Sequence, residues 1–143
     1  MTAFDLAQRM AGEIRELHGS QQHPFIQWAH MLCNLGPDQP DEVPWCSSFT
    51  NAICWLLRLP RSKSAAARSW LGIGEAIDLR DARPGFDVVI LKRGSSPTAG
   101  HVGFYAGRDD RTGSVQLLGG NQSNGVTVAA FKEADVLGVR RLA

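Results

Sequence analysis

The chain has 143 residues, enough for one domain that buries roughly two-thirds of the surface its unfolded form exposes, so a core needs neither metal nor disulfide. With 43% hydrophobic and 20% charged residues, the composition is globular and excludes an intrinsically disordered chain. The 15 basic and 14 acidic residues leave a formal net charge of +1, which supplies no long-range field for nucleic acid or an anionic membrane.

From the N-terminus, Ala3 to Leu17 predicts an amphipathic helix, with Leu6, Ala7, Met10, Ala11, Ile14 and Leu17 on one face. This stretch has neither the basic-then-apolar pattern of a signal peptide nor a bilayer-spanning run. The expectation is therefore a chain made in the cytoplasm without a signal peptide and without membrane insertion. His18, Gly19 and Ser20 end the helix, and Pro24 opens a second one, closed by Gly36 and Pro37. His18 and His23 flank the loop between them and read as solvated, and His30 reads as a helical residue with a partner in the core.

GPDQPDEVP, with three prolines and three acids, predicts a surface loop. Asp38, Asp41 and Glu42 in that loop lack the glycine and distal glutamate of a calcium loop, which favours a solvated acidic loop and leaves calcium open. From Trp45, the apolar residues Cys46, Phe49, Ile53, Trp55, Leu56 and Leu57 predict a buried helix of about twelve residues, stopped by Pro60. SAAARSWLGIG predicts a short helical piece ending at Gly72 and Gly74. Trp28 and Trp55 are expected in the core.

The pattern then switches to short β-rich runs, FDVVIL, HVGFYAG, SVQLLG, GVTVAA and DVLGVRRL, which predict about five antiparallel strands. Helices followed by strands indicate an α+β domain with helices packed on one side of a sheet. The whole chain, 1–143, reads as one domain: N-terminal helices over 1–37, a helical segment over 45–73 and a sheet over 86–143.

Cys33, Cys46 and Cys54 cannot all pair, and their spacing is not that of a zinc or redox site. Cys33 and Cys54 fall inside apolar helical patterns and read as core. Cys46 sits at a helix start, where unpaired N–H groups and the dipole favour a thiolate. The backbone N–H groups of Cys46 and Ser47 would also hold an oxyanion. The competing reading is a small buried hydrophobe. His101 enters a strand directly after a glycine, as suits a general base near neutral pH. Asn121, in LLGGNQSNG, is placed to orient that imidazole, or else is simply a turn residue, and for its neighbours Gln122, Ser123 and Asn124 the turn reading is favoured. Trp45 and Trp70 are candidates to line a substrate groove. No HExxH, phosphate loop or basic stripe is present, so no metal, cofactor or nucleic-acid partner is expected.

In order, the blocks DEVPWCSSF, SAAARSW, FDVVILKRG, GHVGFYAG and LLGGNQS resemble the single-domain phage and prophage peptidoglycan hydrolases of the NlpC/P60 and CHAP cysteine-peptidase superfamily. The resemblance runs from about Pro24 to the C-terminus. It implies a papain-like fold, Cys46 as nucleophile, His101 as base and Asn121 as orienter, acting on an amide bond of bacterial peptidoglycan; Trp45, Trp70 and Gln122 are the candidate substrate contacts. Here the nucleophile stands in Trp45-Cys46-Ser47-Ser48 where many NlpC/P60 members have Asp-Cys-Ser-Gly. An asparagine takes the third position often held by histidine. The implied protein is a monomer that acts on the cell wall after release or delivery. The alternatives are an interbacterial amidase with an immunity partner, a transpeptidase or acyltransferase, and a non-catalytic phage or cell-wall binding module.

Overall fold

A computed structural model describes residues 1–17, 22–36 and 44–143; the expectations for His18 and for the acidic residues Asp38, Asp41 and Glu42 lie outside the described residues. The elements are α1 (Ala3–Met10), α2 (Pro24–Met31), α3 (Cys46–Leu56), a 3-10 turn (Ala67–Gly72), then strands β1 (Glu75–Ile77), β2 (Asp87–Lys92), β3 (Gly100–Asp109), β4 (Ser114–Gln122), β5 (Gly125–Lys132) and β6 (Val136–Arg141). The strands form one antiparallel sheet in the order β1-β6-β2-β3-β4-β5. The domain is α+β as expected, with six strands instead of about five. The extra strand, Glu75–Ile77, is three residues long, too short to register as an alternating run.

The first helix is shorter than its apolar pattern. A capping box between Thr2 and Asp5 starts it, but Gly12 adopts φ 80°, its N–H bonds to Val126 O, and Arg15 pairs with Gly125 at the edge of β5. The later apolar residues thus serve a strand edge. Helix α2 likewise stops at Met31, and Asn34 turns the chain at φ 63°.

The two faces of the sheet bury separate sets of side chains. Val88, Ile90, Val102, Phe104 and Leu118 pack with Trp45, Phe49 and Ile53 of the helical layer. Val89, Leu91, Tyr105, Val115, Leu117 and Val139 form a second cluster on the opposite face. The period-2 alternation of strands produces this division. Of the tryptophans, Trp45 and Trp70 are fully buried, whereas Trp55 is 49% exposed. Trp55 therefore leaves the core expected for it, and meets Trp28 edge-on at 5.5 Å near the surface. No helix among the described residues is long and apolar enough to cross a membrane.

Candidate active site

Helix α3 begins at Cys46 with Trp45 as N-cap and no side-chain cap, so its first N–H groups keep no internal acceptor. Those of Cys46 and Ser47, with the N–H of Val102 on β3, donate towards the Cys46 sulfur and favour its anion. Burial acts more strongly: Cys46 is 4% exposed, and desolvation raises the thiol above its ordinary range. The expected lowering by the helix start is present and is outweighed. Cys33 and Cys54 are buried free thiols as expected, and burial pushes Cys54 up to about 12.

The start of the helix is anchored by buried polar groups. Ser47 Oγ donates to Ser64 O at 2.6 Å and accepts from Trp70 Nε1 at 2.9 Å. Asn51 Nδ2 donates to Ser47 O, and Asn51 Oδ1 accepts from Lys63 N at 2.8 Å. This network fastens the segment before the 3-10 turn to α3. It forms a wall of Ala65, Ala66 and Ala67 across from Thr98, Ala99 and Gly100, and the cleft of about 240 Å³ between them also takes in Cys46, Arg93 and Asn121. On the helical layer's other side, His30 is buried and its Nδ1 lies 2.9 Å from Ser48 Oγ.

His101 lies in β3 beside Val102, whose N–H meets the thiol, but the two side chains point to opposite faces of the sheet: Val102 packs with Cys46 on the helical side, while His101 lines the depression on the other face and not the Cys46 cleft. No direct hydrogen bond joins the thiol and the imidazole. The imidazole packs on the sheet face that carries Tyr105, 5.0 Å from the Phe131 ring, and is 1% exposed. Its Nε2 is 2.9 Å from Gln122 Oε1, and its Nδ1 is 3.2 Å from an Arg93 guanidinium nitrogen.

These contacts define the tautomer. Gln122 Nε2 donates to Leu117 O at 3.1 Å and Thr127 O at 2.7 Å, so Oε1 is the end that faces the imidazole and accepts from Nε2–H. Arginine donates only, so Nδ1 is the acceptor. The result is a neutral imidazole with its lone pair on Nδ1. Burial, followed by the repulsion of Arg93, lowers its pKa from 6.5 to about 4, against the raising effect of Gln122.

The structure places four of the expected site residues differently. The side chain that contacts His101 is that of Gln122, assigned above to substrate, while Asn121 lines the cleft beside Cys46. Trp45 donates from Nε1 to Glu16 at 2.8 Å and packs on Phe49; Trp70 donates to Ser47. Both rings are buried as structural anchors and do not line the cleft. The exchange between Asn121 and Gln122 follows from the backbone. Asn121 adopts φ 59°, and the β4–β5 register shifts between Gly119 and Gln122, which turns residue 122 beneath His101. The glycines carried a signal for it: a Cβ at Gly119 would lie 2.7 Å from Gln122 Oε1, and one at Gly103 3.5 Å. Bare backbone makes the slot that the amide fills. Arg93 carried no sequence signal beyond its place at the end of FDVVILKRG.

Among the described residues no group of three His, Cys, Asp or Glu side chains converges to hold a metal. With this geometry, the α+β fold is similar to that of the structure of NlpC1 from Trichomonas vaginalis, with a TM-score of 0.55 and 20% identity over 98% of this chain. The match spans 42% of that protein's chain. No protein-family model matches the sequence, and no curated protein matches it.

Proposed function

We propose that this domain is a cysteine hydrolase that cleaves an amide bond of bacterial peptidoglycan, with Cys46 as nucleophile and His101 as base. The observation that carries the reading is the His101 environment: a buried imidazole locked by Gln122 with its lone pair on Nδ1, at the strand position whose neighbouring N–H meets a helix-start thiol. The likeness of fold to an NlpC protein and the five sequence blocks support the chemical class and the polymer.

With the thiol raised and the imidazole lowered by burial, the resting pair is neutral, unlike a preformed thiolate–imidazolium pair. In the reacting complex the thiol proton passes to His101 Nδ1 as sulfur attacks the carbonyl carbon, which requires the imidazole to turn from the sheet face where it rests towards the Cys46 face. The C–S bond forms, the carbonyl electron pair moves to oxygen, and the N–H groups of Cys46 and Ser47 hold the oxyanion. On collapse the C–N bond breaks and imidazolium returns its proton to the departing amine. Water, deprotonated by His101, then hydrolyses the thioester. Gln122 orients the imidazole through Nε2. Asn121 and the alanine-lined cleft contact the substrate.

The bond is either the amide between muramic acid's lactyl group and L-alanine or a peptide bond of the stem or cross-bridge. We further assign it as a monomer of phage or prophage origin, delivered to the wall by other machinery. Incubating purified peptidoglycan with the protein and with Cys46→Ala tests the reading. Soluble fragments from the first and none from the second are expected; equal effects on the wall would instead indicate a binding module.

A further inference from the structure

Arg93 stands one residue beyond the end of β2. It is exposed, yet its guanidinium reaches down to His101 Nδ1 at 3.2 Å, and it is the one charged side chain lining the Cys46 cleft among the described residues. It also lines the depression on the other face, with His101, Phe131, Lys92 and Asp135. One guanidinium therefore borders both reacting groups.

The rest of the site offers no charge for that purpose. Gln122, which contacts the far nitrogen of His101, is neutral. Arg68 is held by Ala99 O at 2.9 Å and Ser96 O at 2.8 Å, and Glu16 is engaged by Trp45. Tyr105, on the same face of β3, stands nearer Arg108, Asp110 and Glu133. A neutral orienter fixes an imidazole without balancing charge, so a thiolate formed at Cys46 has Arg93 as its cation.

We propose that Arg93 is a positioning residue: by donating to Nδ1 it holds His101 as the Nε2–H tautomer, and, bordering the Cys46 cleft as well, its charge supports the Cys46 thiolate in place of the carboxylate-backed imidazolium that this site lacks. The proposal rests on Cys46 and His101 being the reacting pair, and its electrostatic consequences have a sign. The charge of Arg93 holds down both the thiol and the imidazole, so its removal raises both.

The test needs no substrate. The pH dependence of Cys46 alkylation by iodoacetamide, with the alkylated peptide identified by mass, is measured in wild type, Arg93→Met and Arg93→Lys. The His101 titration is followed by NMR of ¹⁵N-labelled histidine. In Arg93→Met, alkylation at pH 7 is expected to slow about tenfold, the equivalent of one pKa unit, and the His101 midpoint to rise above that of wild type while burial still holds it well below 6.5. Arg93→Lys, which keeps the charge, restores most of the alkylation rate. A folded Arg93→Met protein whose Cys46 and His101 titrate as in wild type overturns the proposal. If both titrations shift while wild type releases nothing from peptidoglycan, the role of Arg93 stands and the substrate assignment falls.

Discussion

The imidazole of His101 has both nitrogens committed, one to a fixed carbonyl and one to a fixed cation, and its chemistry follows from that. Gln122→Ala removes the Nε2 acceptor, and kcat on peptidoglycan fragments should fall about 100-fold. Asn121→Gly keeps the left-handed backbone at φ 59° and should cost far less. Equal losses would return the orienting role to Asn121. Burial also couples His101 to stability. Its pKa is about 4 folded against 6.5 free, so the unfolded chain binds the extra proton between those values. Stability is then full above about 6.5 and declines as pH falls towards 4, by on the order of 3 kcal/mol. Denaturant unfolding of wild type and His101→Gln from pH 7 to 4 checks this, since the variant should lose that part of the decline. Cys46 and His101 were legible as candidates because a helix-start cysteine and a post-glycine strand histidine are local features. Gln122 was not singled out for His101, because which of two adjacent amides turns under a strand depends on a register shift and a positive φ. Arg93 was missed because its partner is eight residues away across a hairpin.

Elements were legible where the pattern was local and blurred where tertiary pairing took over. Periodicity marked α3 and strands β2 to β6, but it overran α1 and α2, whose continuing apolar faces pack as turns and a bridge. The contact between β4 and α3 sets the height of the thiol above the sheet. A Cβ at Gly120 would approach the Trp45 ring to 2.6 Å and Phe49 Cβ to 2.8 Å, so Gly120→Ala must push strand from helix. A loss of about 1–3 kcal/mol in thermal or denaturant unfolding is expected, with weakened Cys46 reactivity. The junction of β2 and β6 depends on charge. Asp87 is 1% exposed and takes both Arg141 nitrogens at 2.8 Å, plus Arg83 N–H at 2.9 Å. Arg141→Leu leaves that buried carboxylate with only its backbone donor and should cost about 3 kcal/mol. A change below about 0.5 kcal/mol on denaturant unfolding would mean that the strand pair holds without it.

At the scale of the molecule, α3 packs on β3 and β4, and its first residue meets Val102 just beyond the paired β3–β4 register. The paired register ends at Phe104–Leu118, and beyond it β4 bulges away, which admits the thiol on one face and the Gln122 amide on the other. The α+β class was legible from helices preceding strands, whereas the cleft was not, because its walls come from the segment before the 3-10 turn and the approach to β3, joined through Ser47, Asn51 and Trp70. The central claim is that this opening performs thiol-dependent amide hydrolysis on the cell wall. The most direct measurement is mass spectrometry of purified peptidoglycan after incubation with wild type and Cys46→Ala. The account predicts new lactyl-muramic or stem-peptide termini with wild type alone; an unchanged polymer, under conditions where iodoacetamide still titrates Cys46, would contradict it.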